Sequence, residues 1–250
     1  MTKEDIDYFK DAFLLGIMKH RRKKVIFEPL KITFSLSSPL CLNFPWLYFD
    51  GLISHLMLRS ALGNDYYLLP SKDALPAMNK ALRGFEFPKF PIKQTKGMYH
   101  SSASILDVDK KLTEIMFKRF EERWAGDKKK KIYRGIGFFR DYAIRHIYIP
   151  AKTVVFYVCG DREILNDLCK LVGGLGDNTR IGWGAVRDFR IEEIEEDWSI
   201  IKDGVAMRAI PKNLLQETEE KVYIAWKPPY WASESIAMCA PPGAKVLLKK

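Results

Sequence analysis

The stretch GGLGDNTRIGWGAV, residues 173–186, places five glycines within twelve positions. Each glycine costs roughly 0.5–1 kcal/mol of folding free energy relative to alanine, because it loses more backbone freedom. Such a cluster needs a turn, a close approach of the main chain or a bound ligand to explain it. The stretch follows the helix-like segment DREILNDLCKLV and precedes the strand-like segment AVRDFRIEEI.

Two common phosphate-binding motifs do not match this stretch. The dinucleotide fingerprint GxGxxG fails because Thr179 stands where the third glycine should be, and because that motif leaves a strand and opens a helix. A Walker A loop ends in Gly-Lys followed by Ser or Thr, whereas this loop ends in GWG. The remaining pattern is GxGxxxxxGxG.

Paired glycines at both ends of a loop let its main chain approach a sugar-phosphate strand and offer bare N–H groups. Arg180 adds a positive charge, and Trp183 adds a ring that either stacks on a base or anchors the loop in the core. A tight helix-to-strand turn is the alternative, and it explains two glycines more easily than four. The RNA-binding residues predicted in the loop are Gly174, Gly176, Asn178, Arg180, Gly182, Trp183 and Gly184.

Hydrophobic periodicity predicts the elements around the loop. Alternation in KITFSLS predicts a half-buried strand, and the apolar run TVVFYV predicts a central one. Asp50 is expected to cap a helix that ends at Gly63, and Asp161 to cap a second one. Helices are also predicted over residues 5–18 and 105–126, short strands and hairpins over 65–104, and extended chain beyond Ile210.

The order strand, helix, glycine loop, strand is the second half of a ferredoxin-like or RRM-like unit, and the earlier strand and helix would supply its first half. We therefore predict an α+β fold. Residues 29–250 are expected to form one domain, with residues 1–28 as an N-terminal helix and basic extension.

The net charge of +10 exceeds what solubility requires and favours a polyanionic partner. Two basic runs, at 19–24 and 127–146, carry much of this charge. With no long apolar run and an acidic start, we expect a cytoplasmic protein without membrane contact. The widely spaced cysteines predict small buried side chains rather than zinc ligands or disulfides, and neither a metal nor a cofactor is expected; they are Cys41, Cys159, Cys169 and Cys239.

The loop GLGDNTRIGWG resembles the C-terminal signature of the RAMP superfamily of CRISPR-associated RNA-binding proteins, which are built on ferredoxin-like folds. The phrases PLKITFSLSSPLCLN, YFDGLISHLML, FYVCGD, DWSIIKDGVAMRAIP and KPPYW, spread over residues 29–242, are similar to the type IV effector subunit that holds the 5′ end of the guide RNA. Residues 1–28 match nothing associated with that family.

This resemblance implies a non-catalytic subunit of a ribonucleoprotein in antiviral defence. It would grip the 5′ handle of the CRISPR guide RNA, cap the filament of backbone subunits, contact the large subunit and meet target nucleic acid only through the complex. Family members often insert a basic thumb between the two halves of the fold, and residues 105–148 occupy that place. The thumb residues expected to contact RNA are Lys129, Lys130, Arg134, Arg140 and Arg145.

Two other functions stay open. Some superfamily members cut guide precursors without metal, using a histidine beside the glycine loop as general acid or base, and His100 is the first candidate here. His20 and His146 are further candidates. A general single-stranded RNA-binding protein is the third hypothesis, because RGIGFF at 134–139 faintly resembles an RNP1 motif.

Overall fold

A computed structural model describes residues 25–62, 90–119, 133–137, 140–228, 230 and 233–249. The predicted helix over residues 5–18, the basic run at 19–24, Lys129 and Lys130 lie outside the described residues.

The central sheet is built on strand β1, Glu28–Leu36, in which alternate side chains are buried. Leu30, Ile32 and Phe34 are fully buried, as the alternation predicts. β1 pairs antiparallel with β8 (Thr153–Gly160) on one side and with β9 (Val186–Glu193) on the other. The short strand β5 (Ile105–Leu106) completes the order β5-β8-β1-β9, and the three longer strands confirm the predictions made for them.

Two helices cover one face of this sheet. α1 (Phe49–Leu62) and α2 (Arg162–Cys169) share a single hydrophobic core with the inward residues of β1 and β8. The Asp161 carboxylate caps α2 by accepting from the Ile164 N–H at 3.1 Å, as predicted. Neither helix combines the length and apolarity needed to cross a membrane, and no other described helix does.

The expected cap at Asp50 is wrong. α1 begins at Phe49, so Asp50 lies inside the first turn, where a carboxylate still complements the helix dipole. Its side chain is fully buried and contacts Arg208, which comes from the distant C-terminal part of the chain. A polar residue before an apolar stripe predicts a cap locally, and only the folded chain shows that it serves a long-range ion pair.

A long hairpin replaces the helix predicted over residues 105–126, at least as far as residue 119. β6 (Leu112–Lys118) pairs antiparallel with β7 (Tyr142–Ile149), and β7 also pairs with the two-residue strand β2 (Leu40–Cys41). Most of both long strands is exposed on each face. The pattern that distinguishes a strand from a helix, one buried face alternating with one exposed face, is therefore absent.

The C-terminal part of the chain forms small antiparallel sheets around two further apolar clusters. A short hairpin, β3 (Gln94–Thr95) with β4 (Met98–Tyr99), packs against it through Gly97 and Trp226. The remaining strands are β10 (Ile201–Lys202), β11 (Val205–Ala206), β12 (Ile210–Pro211), β13 (Leu215–Thr218), β14 (Val222–Ala225), β15 (Ile236–Ala240) and β16 (Val246–Leu248). All four cysteines are buried and free, as expected for small apolar side chains.

Candidate nucleic-acid interface

The glycine loop leaves α2 and returns to β9 through a narrow antiparallel neck. Gly174 and Ala185 form an isolated bridge, and the Leu175 N–H donates to the Gly184 oxygen at 2.9 Å. Beyond this neck, Thr179–Ile181 forms a single 3-10 turn. Asn178 and Gly182 flank that turn in the left-handed conformation, with φ of 59° and 98°. The neck closes the loop, and the turn forms its apex.

Packing within the protein requires two of the four signature glycines and crowds a third. A Cβ on Gly184 would stand 2.0 Å from the Leu175 oxygen, and one on Gly176 would stand 2.5 Å from the Cys41 oxygen. A Cβ on Gly174 would meet Thr179 at 3.0 Å. Gly182 differs, because a Cβ there would meet nothing within 4 Å. Among the four, only Gly182 faces open space, and its left-handed backbone is what favours glycine there.

The connection between β1 and β2 supports the loop from below. The Ser38 hydroxyl donates to the Gly182 oxygen at 2.6 Å and accepts from the Ala185 N–H at 2.8 Å. The Asp177 N–H donates to the Cys41 oxygen at 2.8 Å. Sequence reasoning did not identify Ser38, and no local signal connects it with a loop about 140 residues later.

The apex of the loop is open to solvent. Residues 178–182 are exposed, and Ile181 retains 56% of its accessible surface. Arg180 therefore projects from a main chain that carries little side-chain bulk on the side of Gly182. This surface can receive a phosphate, because a guanidinium is a fixed cation with several N–H donors.

Trp183 joins the loop to the hairpin. Its half-buried ring lies 5.0 Å from the Tyr148 ring with 35° between the planes, and 6.0 Å from the His146 ring with 33° between them. Neither sequence alternative describes this arrangement fully. Trp183 is outside the apolar core clusters, and one face of its ring is already covered by aromatic side chains of β7.

His146 is the described histidine that contacts the loop. Its side chain is 6% exposed, and its Nδ1 lies 3.4 Å from the Asn178 amide nitrogen. Its Nε2 is buried and has no hydrogen-bond partner among the described residues. Among the described histidines, His146 rather than His100 is therefore placed for a cleavage mechanism at this loop.

His100 lies at the opposite end of the central sheet. Its main-chain oxygen accepts from the Cys159 N–H near the end of β8, whereas the glycine loop meets the sheet where β8 begins, beside Ser37. At about 3.3 Å per strand residue these points are about 20 Å apart. The His100 ring contacts Asp197 through Nδ1 at 2.6 Å and Thr95 through Nε2 at 2.9 Å.

The Asp197 carboxylate is held ionised in this cluster. Burial opposes its charge, but hydrogen bonds from His100 and Ser199 outweigh burial and lower the pKa of Asp197 to about 2. This cluster joins the β3–β4 hairpin to the chain after β9. It is separate from the glycine loop.

The three thumb arginines that the structure describes do not form one patch beside the glycine loop. Arg145 is exposed on β7, and because neighbouring strand residues point to opposite faces, it lies on the face away from His146 and Trp183. Arg134 and Arg140 are exposed beyond the ends of the hairpin strands, and Arg134 pairs with Asp141 at 3.2 Å. Only Arg180 stands at the loop apex itself.

The hairpin also exposes large apolar side chains, of which Ile115 and Met116 belonged to the apolar stripe of the predicted helix. Phe117 is 60% exposed, and Ile115 and Ile147 are about half exposed on the same face as Arg145. Met116, Tyr142 and Ile144 are exposed on the face that carries His146. Monomeric proteins rarely leave such an area uncovered, so the hairpin is suited to contact a partner.

Comparison with known families decides where the chain belongs. The family described as CRISPR type IV associated protein Csf3 matches residues 88–242, well over half of the chain. The chain belongs to this family. The match confirms the resemblance to a type IV CRISPR-associated protein, and the matched part of this Csf3 family member contains the hairpin, the glycine loop and most of the C-terminal strands.

No curated protein matches the sequence of this Csf3 family member. Among solved structures, the type III-B Cmr-beta complex bound to cognate target RNA matches at 11% identity and a TM-score of 0.37, over 76% of this chain and 67% of that one. Cmr6 from Pyrococcus furiosus matches at 14% identity and a TM-score of 0.30, over 68% and 98%. The Csm3-Csm4 subcomplex of a type III-A interference complex matches at 12% identity and a TM-score of 0.38, over 88% and 92%. Likenesses this loose carry no argument about function.

Proposed function

We propose that this Csf3 family member is a non-catalytic RNA-binding subunit of a type IV CRISPR effector ribonucleoprotein. It grips the 5′ handle of the guide RNA and caps the filament of backbone subunits in the cytoplasm. We further propose that the β5-β8-β1-β9 sheet with α1 and α2 is its ferredoxin-like unit, since the chain order strand, helix, strand, strand, helix, strand agrees with that fold.

One observation carries this proposal, the position of the loop apex. Arg180 and the open side of Gly182 stand at the surface next to Trp183, whose ring contacts Tyr148 and His146 of β7. Cationic and aromatic groups side by side are the features that bind a single strand of RNA, through phosphates and bases respectively. The net charge of +10 acts in the same direction over a longer range.

Neighbouring protein subunits are proposed to cover the face of the β6–β7 hairpin that lies away from the glycine loop. This face carries Ile115, Phe117 and Ile147. Among the described β6 and β7 side chains of this face, Arg145 is the one charged group. An apolar face of this kind suits contact with protein better than contact with a phosphate strand. The aromatic face towards the glycine loop is left for the RNA.

Replacement of Arg180 tests the proposal. Arg180→Ala is expected to weaken binding of a repeat-derived handle RNA about ten-fold at moderate salt, and to reduce the salt dependence by about one counterion, because one phosphate contact is lost. Arg187→Ala is the matched control, since Arg187 is exposed on β9 and pairs with Asp188 outside the loop. Filter binding at several salt concentrations measures both effects.

The same titration separates the open alternatives. Equal losses for both arginine variants would contradict a specific role of the loop. A scrambled RNA of the same length that binds as tightly as the handle would instead favour a general single-stranded RNA-binding protein. Gly182→Val provides a steric test, because a branched side chain at φ of 98° changes the open side of the apex.

The second candidate function, metal-independent cleavage of guide precursors, is favoured by the buried His146 beside the loop. We expect no cleavage when purified protein is incubated with repeat RNA and a chelator. If cleavage occurred and His146→Ala abolished it, the non-catalytic proposal would be wrong. His100→Ala in the same assay tests the histidine that the sequence favoured.

A further inference from the structure

We propose that His146 and Tyr148 form a nucleobase site which Trp183 covers in the free protein and uncovers when RNA binds. This inference rests on the proposed function and specifies how the same loop holds one base. Three observations support it: the hydrogen bonding of the His146 ring, the contacts of Trp183, and the backbone of the two glycines beside Trp183.

The Asn178 amide determines where the proton of a neutral His146 ring lies. An amide nitrogen only donates, so His146 Nδ1, at 3.4 Å, must be the acceptor. The second amide hydrogen is directed to the Cys41 sulfur, also at 3.4 Å, so both hydrogens have an acceptor. With Nδ1 accepting, the ring carries its proton on Nε2.

The resulting Nε2–H group is a buried donor without an acceptor. None of the described residues accepts from it, although Glu114 lies directly opposite His146 in the register of β6 and β7. A donor left unpaired in a buried position is unfavourable, and such groups are uncommon in folded proteins. A ligand with an acceptor atom would satisfy it.

A nucleobase supplies the acceptor that is missing here and can also take over the stacking contact that Trp183 makes. Ring nitrogens and carbonyl oxygens on its edge accept hydrogen bonds, and its flat face stacks on tyrosine. Trp183 now occupies the stacking position on Tyr148, with 5.0 Å between the ring centroids. Replacing Trp183 by a base therefore exchanges one aromatic contact for another and adds the hydrogen bond from His146.

The main chain beside Trp183 permits this movement on one side only. Gly182 has φ of 98° and no atom within 4 Å of its Cβ direction, so its torsions have space to change once its N–H releases the Thr179 oxygen, to which it donates at 3.1 Å. Gly184 is held by the neck, because its N–H donates to the Pro39 oxygen at 2.8 Å and its oxygen accepts from Leu175. We therefore assign the pivot to Gly182, where the hydrogen bond from Ser38 must adjust.

Fluorine NMR of the full chain labelled with fluorinated tryptophan tests the movement. Trp183→Phe identifies the resonance, and unlabelled handle RNA is then added to saturation. We expect the Trp183 resonance to shift as its ring leaves Tyr148 and His146. An unchanged resonance at saturating RNA would overturn the inference.

Affinity measurements test the hydrogen bond independently. His146→Phe keeps an aromatic ring and removes the Nε2–H, and we expect binding about ten-fold weaker, the loss of one buried hydrogen bond. Removing the base of the handle nucleotide that occupies the site should weaken RNA binding by the wild-type protein. The same abasic RNA should bind the His146→Phe variant no more weakly than the intact handle does. His100→Phe is the matched control, since His100 lies about 20 Å away by the strand rise.

The outcomes separate this inference from the proposed function. If the wild-type protein does not bind handle RNA, the proposed function fails and the base site fails with it. A different result refutes the base site alone. In that case RNA binds, every abasic handle binds as tightly as the intact one, and His146→Phe has the affinity of the wild type. The Trp183 resonance also stays unchanged when RNA is added. The NMR arm uses the wild-type side chain at His146, so it remains decisive even where His146→Phe does not fold.

Discussion

Arg208 and Arg180 show how the surroundings of a guanidinium decide its role. Arg208 is fully buried and donates to the Asp50 carboxylate at 3.1 Å, to the Trp226 oxygen at 2.6 Å and to the Ser101 oxygen at 3.0 Å. Arg180 stands at the exposed apex of a glycine-rich loop. The first arginine uses both of its terminal nitrogens for hydrogen bonds within the fold and connects two parts of the chain. The second presents its charge to solvent, where a ligand can reach it.

The residues around the Asp50–Arg208 ion pair stay uncharged. Burial raises the pKa of Tyr230 well above its usual value, and the Asp50 charge adds to this effect. Burial likewise raises the pKa of Tyr48. Both phenols therefore stay neutral, and the Tyr230 hydroxyl donates to Asp50 at 2.8 Å while its ring stacks on Tyr48 at 4.6 Å. The arrangement joins α1 to the C-terminal sheets.

The largest effect is expected when the charge opposite Arg208 is removed. Asp50→Asn keeps the side-chain shape and leaves Arg208 buried without a counter-charge, so we expect the free energy of unfolding to fall by about 3–5 kcal/mol. Urea denaturation followed by tryptophan fluorescence measures it. Asp188→Asn is the control, since Asp188 pairs with Arg187 at the surface, and it should change the urea midpoint little. Equal midpoints for the two variants would show that the buried pair does not hold the fold together.

Alanine substitutions at two glycines compare the packing of the neck with that of the apex. Gly184→Ala drives a Cβ into the Leu175 oxygen at a φ of 61°, and we expect a loss of about 3 kcal/mol from the clash and the left-handed backbone. Gly182→Ala meets no atom and should cost only about 1 kcal/mol, from its backbone conformation. Thermal unfolding of both variants measures the difference. Similar losses would mean that the neck is no more tightly packed than the apex.

The smallest expected effect concerns Asp197, at the end of the sheet away from the loop. Its pKa in the folded protein, about 2, is below the ordinary value of 3.8, so protonation favours the unfolded chain. The contribution is therefore present above about pH 4 and is lost as the pH falls towards about 2, and we expect it to be on the order of 1 kcal/mol. Urea midpoints near about pH 5 and about pH 2.5 measure the difference. Asp197→Asn should reduce this pH dependence, and an undiminished dependence would assign it to other carboxylates.

The central elements could be predicted because their signals are local. β1 alternates, β8 is a continuous apolar run and α2 has a cap followed by an apolar stripe. Each of these patterns reflects burial on a face that the element itself defines. The glycine loop was recognised for the same reason, since its spacing is visible within twelve residues.

The hairpin could not be predicted by the same means. Leu112, Ile115 and Met116 have helical spacing by coincidence, while β6 owes its conformation to pairing with β7, whose first residue lies 24 positions beyond Lys118. Exposure on both faces removes the alternation that would have indicated a strand. Tertiary pairing overrides a local pattern in such cases.

The supporting side chains escaped prediction because their partners are distant in sequence. Arg208 and Asp50 are separated by 158 positions, and a lone arginine in VAMRAIP gives no sign that it is buried. His146 was a further candidate for a catalytic histidine, but its position beside the glycine loop was not predicted. Its closeness to Asn178 depends on how the hairpin folds back over the loop.

Ser38 has a consequence for the order in which this molecule is assembled. Its hydroxyl fastens both arms of the glycine loop across 144 and 147 positions of chain, so the loop acquires its shape only after the first strand has docked between β8 and β9. Contacts of such long range form late and slowly during folding. A fragment beginning at residue 88, where the family match begins, would keep every glycine of the loop but lose the two hydrogen bonds with Ser38. The contacts that hold the proposed RNA-binding loop in place would therefore form as a late step of folding, when the two ends of the domain have met.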